Sequence, residues 1–213
     1  MIVALLGAES TGKTDLARAL ARRASEQGLR ATAVEEYLRE FCEHRARTPW
    51  PHEQAHIAEE QTRRIRTAAA HHALVLADTT ALMTAVYSDL LFDDPSLYEA
   101  ALAAHAECHL TLVTGLDLPW TPDGIQRDGP HVRAPVDTRL RTRLQDAGVP
   151  FSVVYGQGQD RVEAAWRAIV NALAVMGGNP RTAEDAPANL QPWCRECLVP
   201  ECEHQLFRRL VRG

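Results

Sequence analysis

The sequence predicts a three-layer α/β fold around a five-stranded parallel sheet, followed by a small cysteine-bearing tail. Three observations lead there. Short apolar runs rich in β-branched residues alternate with longer stretches of helical periodicity, the signature of a parallel sheet covered by helices. A glycine-rich loop joins the first apolar run to the first helix. With 46% hydrophobic and 24% charged residues over 213 positions, the chain has the composition of a globular protein with a sizeable core.

In chain order, strands are expected at 1–6, 30–35, 73–78, 108–114 and 150–155. Helices are expected at 13–27 (stopped by Gly28), 36–47, 51–72, 80–90, 96–105 and 137–147. A last helix at 160–176 places Val162, Trp166, Ile169, Val170 and Leu173 on one face. Between 115 and 136 the chain is rich in Pro, Gly, Asp and Arg and long for a plain connection, which suggests a lid or binding loop. Residues 1–176 thus form the main domain, a polar stretch at 177–192 reads as a linker, and 193–213 form the tail.

Composition excludes several classes. The apolar runs are too short for a membrane span, and the opening residues carry no charged leader or cleavage site, so no signal peptide is expected. A net charge of −5 argues against a broad nucleic-acid surface. Five cysteines, with Cys42 and Cys108 isolated and Cys194, Cys197 and Cys202 crowded together, do not make a disulfide framework. A reducing, cytoplasmic setting fits better. Of 23 basic side chains 22 are arginine, and the single lysine is Lys13. A compact ammonium on a flexible stem at that one place suggests a task that a planar guanidinium does not fill.

The residues around Lys13 explain it. Gly7-Ala8-Glu9-Ser10-Thr11-Gly12-Lys13-Thr14 matches G-x-x-x-x-G-K-[ST], directly after a strand and opening a helix. That is the phosphate-binding loop of P-loop NTPases: backbone N–H groups of Gly7, Glu9, Ser10, Thr11 and Gly12 cradle phosphates at a helix N-terminus. Lys13 would reach the β- and γ-phosphates of ATP, and Thr14 would place its hydroxyl on Mg²⁺. The apolar strand ending in Asp78 supplies the second carboxylate-bearing element, so Asp78 is the candidate magnesium partner. Asp78-Thr79-Thr80 reads equally well as a cap on the following helix.

At the end of the second strand Glu35-Glu36-Tyr37 places carboxylates beside the phosphate loop, where Glu36 could hold or deprotonate an acceptor hydroxyl. Arg39 lies one turn on. The acidic pair also suits a helix N-terminus. In the loop, Arg127 and Arg133 offer guanidinium groups for a transferring phosphoryl. These features suggest a small-molecule kinase using ATP and Mg²⁺; a regulatory P-loop ATPase controlling a protein partner is the alternative.

Together these residues resemble the ribosylnicotinamide kinase domain of NadR-type proteins, a nucleoside-monophosphate-kinase-like member of the AAA-type P-loop NTPases. The resemblance spans about 1–176. It rests on Gly7 to Thr14, Glu36-Tyr37-Leu38-Arg39-Glu40-Phe41, Gln61, Asp78-Thr79-Thr80, and Pro119-Trp120-Thr121-Pro122-Asp123-Gly124 followed by Arg127. It implies transfer of the γ-phosphate of ATP to nicotinamide riboside, giving nicotinamide mononucleotide. On that comparison Glu36, Arg39, Asp123 and Arg127 lie on the substrate or lid side; Arg133, read from the loop itself, is expected among the substrate contacts.

The tail reads C-x₂-C-x₄-C-x-H, with Cys194, Cys197, Cys202 and His204 able to surround one structural Zn²⁺. A set of redox-sensitive or merely exposed thiols is the other reading, and the sequence names no protein partner for the tail.

Overall fold

The computed structural model describes residues 1–121 and 129–176. The chain divides into two compact units, Met1–Ala172 and Leu173–Gly213, and of the second only residues 173–176 are described. The elements are β1 (Ile2–Leu6), α1 (Lys13–Glu26), β2 (Ala31–Val34), α2 (Tyr37–Arg45), α3 (Gln54–His71), β3 (Leu74–Asp78) and α4 (Ala81–Phe92). They continue with α5 (Tyr98–His105), β4 (Leu110–Thr114), α6 (Arg133–Asp146), β5 (Ser152–Val154) and α7 (Gly158–Met176). Single 3₁₀ turns at Pro51–Glu53 and Pro130–Val132 introduce α3 and α6.

The five strands form one all-parallel sheet in the order β2-β3-β1-β4-β5, the expected three-layer P-loop NTPase fold. Every residue of β1 and β3 is buried, which is why both read as unbroken apolar runs rather than alternating ones. Helix α1 packs through Leu16, Ala17, Leu20 and Ala24, spaced for one helical face. Because strand order reverses about β1, the carboxyl ends of β1 and β3 open onto a crevice. The register pairs Leu5 with Asp78, setting that carboxylate beside the start of the phosphate loop.

Two boundaries differ from expectation. Helix α2 begins at Tyr37, leaving Glu36 extended at φ −66°, ψ 116°, ahead of the first turn. Helix α6 begins at Arg133, four residues before the expected start at 137. Pro135 reads as a helix breaker, yet it falls in the first turn, where its missing N–H has no intrahelical partner to lose. Among the described residues no helix is long and apolar enough to cross a membrane.

The two described cysteines are structural. Burial pushes the Cys42 thiol up to about 11 and the Cys108 thiol up to about 12, so both stay protonated at neutral pH.

Two buried polar clusters lie among the helices on one side of the sheet. Asp89 on α4 accepts from the Tyr98 hydroxyl on α5 at 2.8 Å and from Arg139 and Arg143 on α6, tying three helices together. His105 is 2% exposed, with Nε2 2.9 Å from the Thr111 hydroxyl and Nδ1 3.3 Å from that of Thr80. Burial lowers its pKa to about 4 from an ordinary value of 6.5. The unfolded chain therefore binds a proton here between those values that the native chain refuses. Stability from this site should be complete above pH 6.5 and fall by about 3 kcal/mol as pH drops to 4. Urea unfolding at pH 7 and pH 4.5 should show a smaller acid loss in His105→Gln than in the parent chain; equal losses would refute the assignment.

Candidate functional site

The phosphate loop leaves β1 with three residues at positive φ: Gly7 at 145°, Ser10 at 54° and Gly12 at 73°. This alternation turns successive backbone segments toward one concavity ahead of α1. Gly7 is required by space as well as by φ, since a Cβ there would sit 2.1 Å from Thr114 Oγ1. The Thr11 hydroxyl is directed inward, donating to Ala8 O at 2.8 Å and meeting Thr114 Oγ1 at 2.7 Å. Lys13 Nζ donates to Ala8 O at 2.8 Å, lying back along the loop it closes.

Beside it, Thr14 Oγ1 donates to Asp78 Oδ2 at 2.5 Å, while the buried Asp78 Oδ1 has no hydrogen-bond partner. Burial raises the Asp78 pKa above the usual range against the opposing pull of Lys13 and Thr14. A buried carboxyl oxygen without a donor, next to a threonine hydroxyl, fits a hard oxygen-seeking cation such as Mg²⁺. The arrangement at Thr14 and Asp78 is therefore compatible with the expected metal. Elsewhere among the described residues no group of three His, Cys, Asp or Glu side chains could hold an ion. The zinc ligands expected at Cys194, Cys197, Cys202 and His204, together with the linker and tail, lie outside the described residues, as do Asp123 and Arg127.

Gly7, Glu9, Ser10, Thr11, Gly12, Lys13 and Thr14 line one cavity of about 670 Å³, and Glu36 and Arg39 line it too. Phosphate loop and expected acceptor residues are thus brought to one space. Glu35 does not join them: it pairs with Arg18 on α1 at 2.5 Å. Arg133, which opens α6, is 9% exposed with its Nη2 3.4 Å from Leu116 O, and it is not among the residues that line the cavity.

Three supports have contacts that the sequence does not disclose. Gln61 on α3, 2% exposed, accepts from Tyr37 N at 2.8 Å and approaches Glu35 O and Thr79 O at 3.4 Å. It thereby ties the ends of β2 and β3, and with them Glu36 and Asp78. Arg161 on α7, 4% exposed, donates to Thr11 O at 2.9 Å, Gly156 O at 2.8 Å and Asp117 Oδ1 at 3.1 Å. It braces the phosphate loop from behind. Glu9 Oε1 accepts from Trp120 Nε1 and Gly129 N, each at 3.0 Å, and Ser10 Oγ accepts from Thr121 N at 2.8 Å. The phosphate loop therefore holds both described margins of the loop after β4.

Residues 2–161 match the sequence profile of the AAA domain family. The chain belongs to that family. Among solved structures, this AAA domain is similar to a NadR protein in complex with NR, at 24% identity and a TM-score of 0.66 over 80% of this chain and 50% of that one. A NadR protein in complex with NAD and AMP-PNP gives 24% identity and a TM-score of 0.63 over 83% of this chain and 49% of the other. The AAA domain thus spans about half the length of the NadR proteins it resembles. A deoxyadenosine kinase from M. mycoides with products dCMP and dCDP is similar at 13% identity and a TM-score of 0.53, over 80% of this chain and all of that one. These likenesses establish the fold. No curated protein matches the AAA domain by sequence.

Proposed function

We propose that this chain is an ATP-dependent nucleoside kinase, with nicotinamide riboside as the acceptor that the NadR likeness favours. The observation that carries the reading is the shared cavity: Lys13 and Thr14 at one part of it, Glu36 and Arg39 at another. An ATPase switch needs room for nucleotide and water; a cavity lined by Glu36 and Arg39 as well as by the phosphate loop suits an acceptor too. The NadR proteins bound to NR or to NAD with AMP-PNP, and the deoxyadenosine kinase bound to dCMP, support the same class.

In this reading the loop amides and Lys13 hold the β- and γ-phosphates of ATP, and Thr14 with Asp78 holds Mg²⁺. The ion, when bound, offsets phosphate charge. Glu36 accepts the proton of the acceptor 5′-hydroxyl as that oxygen bonds to the γ-phosphorus, and ADP leaves with the bridging oxygen. Arg39 orients the acceptor. Asp123 and Arg127 complete the proposed acceptor and lid contacts. The tail, with or without zinc, takes no part in the transfer.

The test is a panel of nucleosides with labelled ATP, including nicotinamide riboside, adenosine, guanosine, cytidine and uridine. A labelled nucleoside monophosphate and equimolar ADP are expected. Release of inorganic phosphate at a rate indifferent to every nucleoside would instead favour the ATPase.

A further inference from the structure

We propose that Trp50 is the platform on which the aromatic base of the acceptor stacks. The inference deepens the kinase reading and rests on it for the identity of the site.

Trp50 lines the cavity and is 54% exposed, unusual for the largest apolar side chain. The exposure does not reflect a loose side chain. Pro49 and Pro51 flank it and restrict the backbone. The Arg47 guanidinium lies 4.1 Å from the ring centroid, covering one face. Arg47 is itself clamped to Glu53 by two hydrogen bonds of 2.7 and 2.8 Å, and the same carboxylate accepts from Trp50 N at 2.8 Å. Arg47, and then the Trp50 N–H, hold the Glu53 pKa down to about 2, so the clamp is ionised throughout the range of any assay. An indole held this firmly at the lining of a cavity, with Arg47 over one face and the His52 ring tilted beside it at 5.5 Å, still keeps about half its surface exposed and is built to receive something flat.

The α4 lining agrees. Met83, Tyr87 and Leu91, spaced i, i+4 and i+8 on α4, line the same cavity as an apolar stripe. The cavity therefore has a charged part at the phosphate loop and Glu36, and an apolar, aromatic part at Trp50. A nucleoside has the same two-part character: a polar ribose bearing the hydroxyl to be phosphorylated, and a planar base. Stacking on an aromatic side chain recognises any base through its π-face, so Trp50 sets acceptance of a base-bearing acceptor while other contacts choose among bases.

The experiment compares the full chain with Trp50→Ala and Trp50→Phe. Nicotinamide riboside, the four common ribonucleosides, and methyl β-D-ribofuranoside, which has the sugar but no base, serve as acceptors. Removing a base-stacking residue should raise KM for the best base-bearing acceptor by about 10–100-fold in Trp50→Ala, with Trp50→Phe close to the parent. KM for ATP and for methyl β-D-ribofuranoside should stay unchanged. Acceptor binding in the presence of AMP-PNP, followed by calorimetry, should show the same ratio. A KM and Kd within twofold of the parent in Trp50→Ala overturn the platform while leaving the kinase reading intact. So does an equal loss for methyl β-D-ribofuranoside. Nucleosides that bind in a Trp50-dependent manner but are never phosphorylated uphold the platform and overturn the kinase. Failure of every nucleoside to bind overturns both.

Discussion

Lys13→Met should lower phosphoryl transfer at least about 100-fold and leave the fold standing. The stem of methionine preserves the packing of residue 13 at the head of α1, while the bond from Nζ to Ala8 O at 2.8 Å and the attraction of the ammonium to Asp78 are lost. A partly buried hydrogen bond contributes about 1 kcal/mol, so melting should shift by only a few degrees. Loss of one donor aimed at developing charge costs about 10²–10³ in rate. No other lysine exists in the chain to substitute, and Lys13→Arg should fare little better, since its rigid fork does not reproduce a point-like ammonium. ADP formation at saturating nucleoside, measured alongside circular dichroism melting, checks both halves. Turnover within tenfold of the parent, under about 1.4 kcal/mol of barrier, would remove Lys13 from the site.

Asp78→Asn should produce a comparable loss of transfer with the opposite effect on stability. Its Oδ2 takes the Thr14 hydroxyl at 2.5 Å and its Oδ1 is buried without a donor. Burial holds its pKa above the ordinary carboxylate range, so ionised Asp78 costs the native state free energy at neutral pH relative to the unfolded chain. Asparagine keeps the shape and drops the charge. The variant is therefore expected to melt no lower than the parent, while transfer falls at least about 100-fold and needs more Mg²⁺ to saturate. Parallel melting curves and Mg²⁺ titrations decide it. A stable variant with unaltered Mg²⁺ dependence would leave Asp78 only its bond to the Thr14 hydroxyl, since the cap of α4 is Thr80, which accepts from Leu82 N at 3.3 Å.

Much of the fold was legible because strands buried on both faces leave a simple trace. Apolar runs at 1–6, 73–78 and 108–114 bracket β1, β3 and β4, and Gly28 marks the end of α1 within two residues. The phosphate loop was legible because its geometry tolerates so few residue types, as Gly7 against Thr114 illustrates. Glu36 and Arg39 were recoverable from their place after β2. The start of α6 was misplaced because proline at the first turn of a helix and proline ahead of a loop look the same in sequence. The apolar wall was invisible for another reason: α4 is buried on nearly every side, so no periodicity separates Met83, Tyr87 and Leu91 from the rest of the helix. Trp50, between two prolines, falls in the gap between the helices expected at 36–47 and 51–72, where no periodicity singles it out. Arg161 was hidden because its partners are mainly backbone carbonyls, which carry no sequence signal.

Glu9 and Ser10 reach across to Trp120, Thr121 and Gly129, and this has a consequence for how such a chain can diversify. Where a frame holds both margins of a connection, closing it costs free energy only as the logarithm of its length, about 0.6 kcal/mol for each doubling. The stretch carrying Asp123 and Arg127 can therefore be lengthened, shortened or exchanged as a cassette, while the phosphate loop keeps its own shape. New acceptor preferences are open to grafting there without rebuilding the nucleotide site, provided Glu9 and Ser10 remain as the fixed splice points.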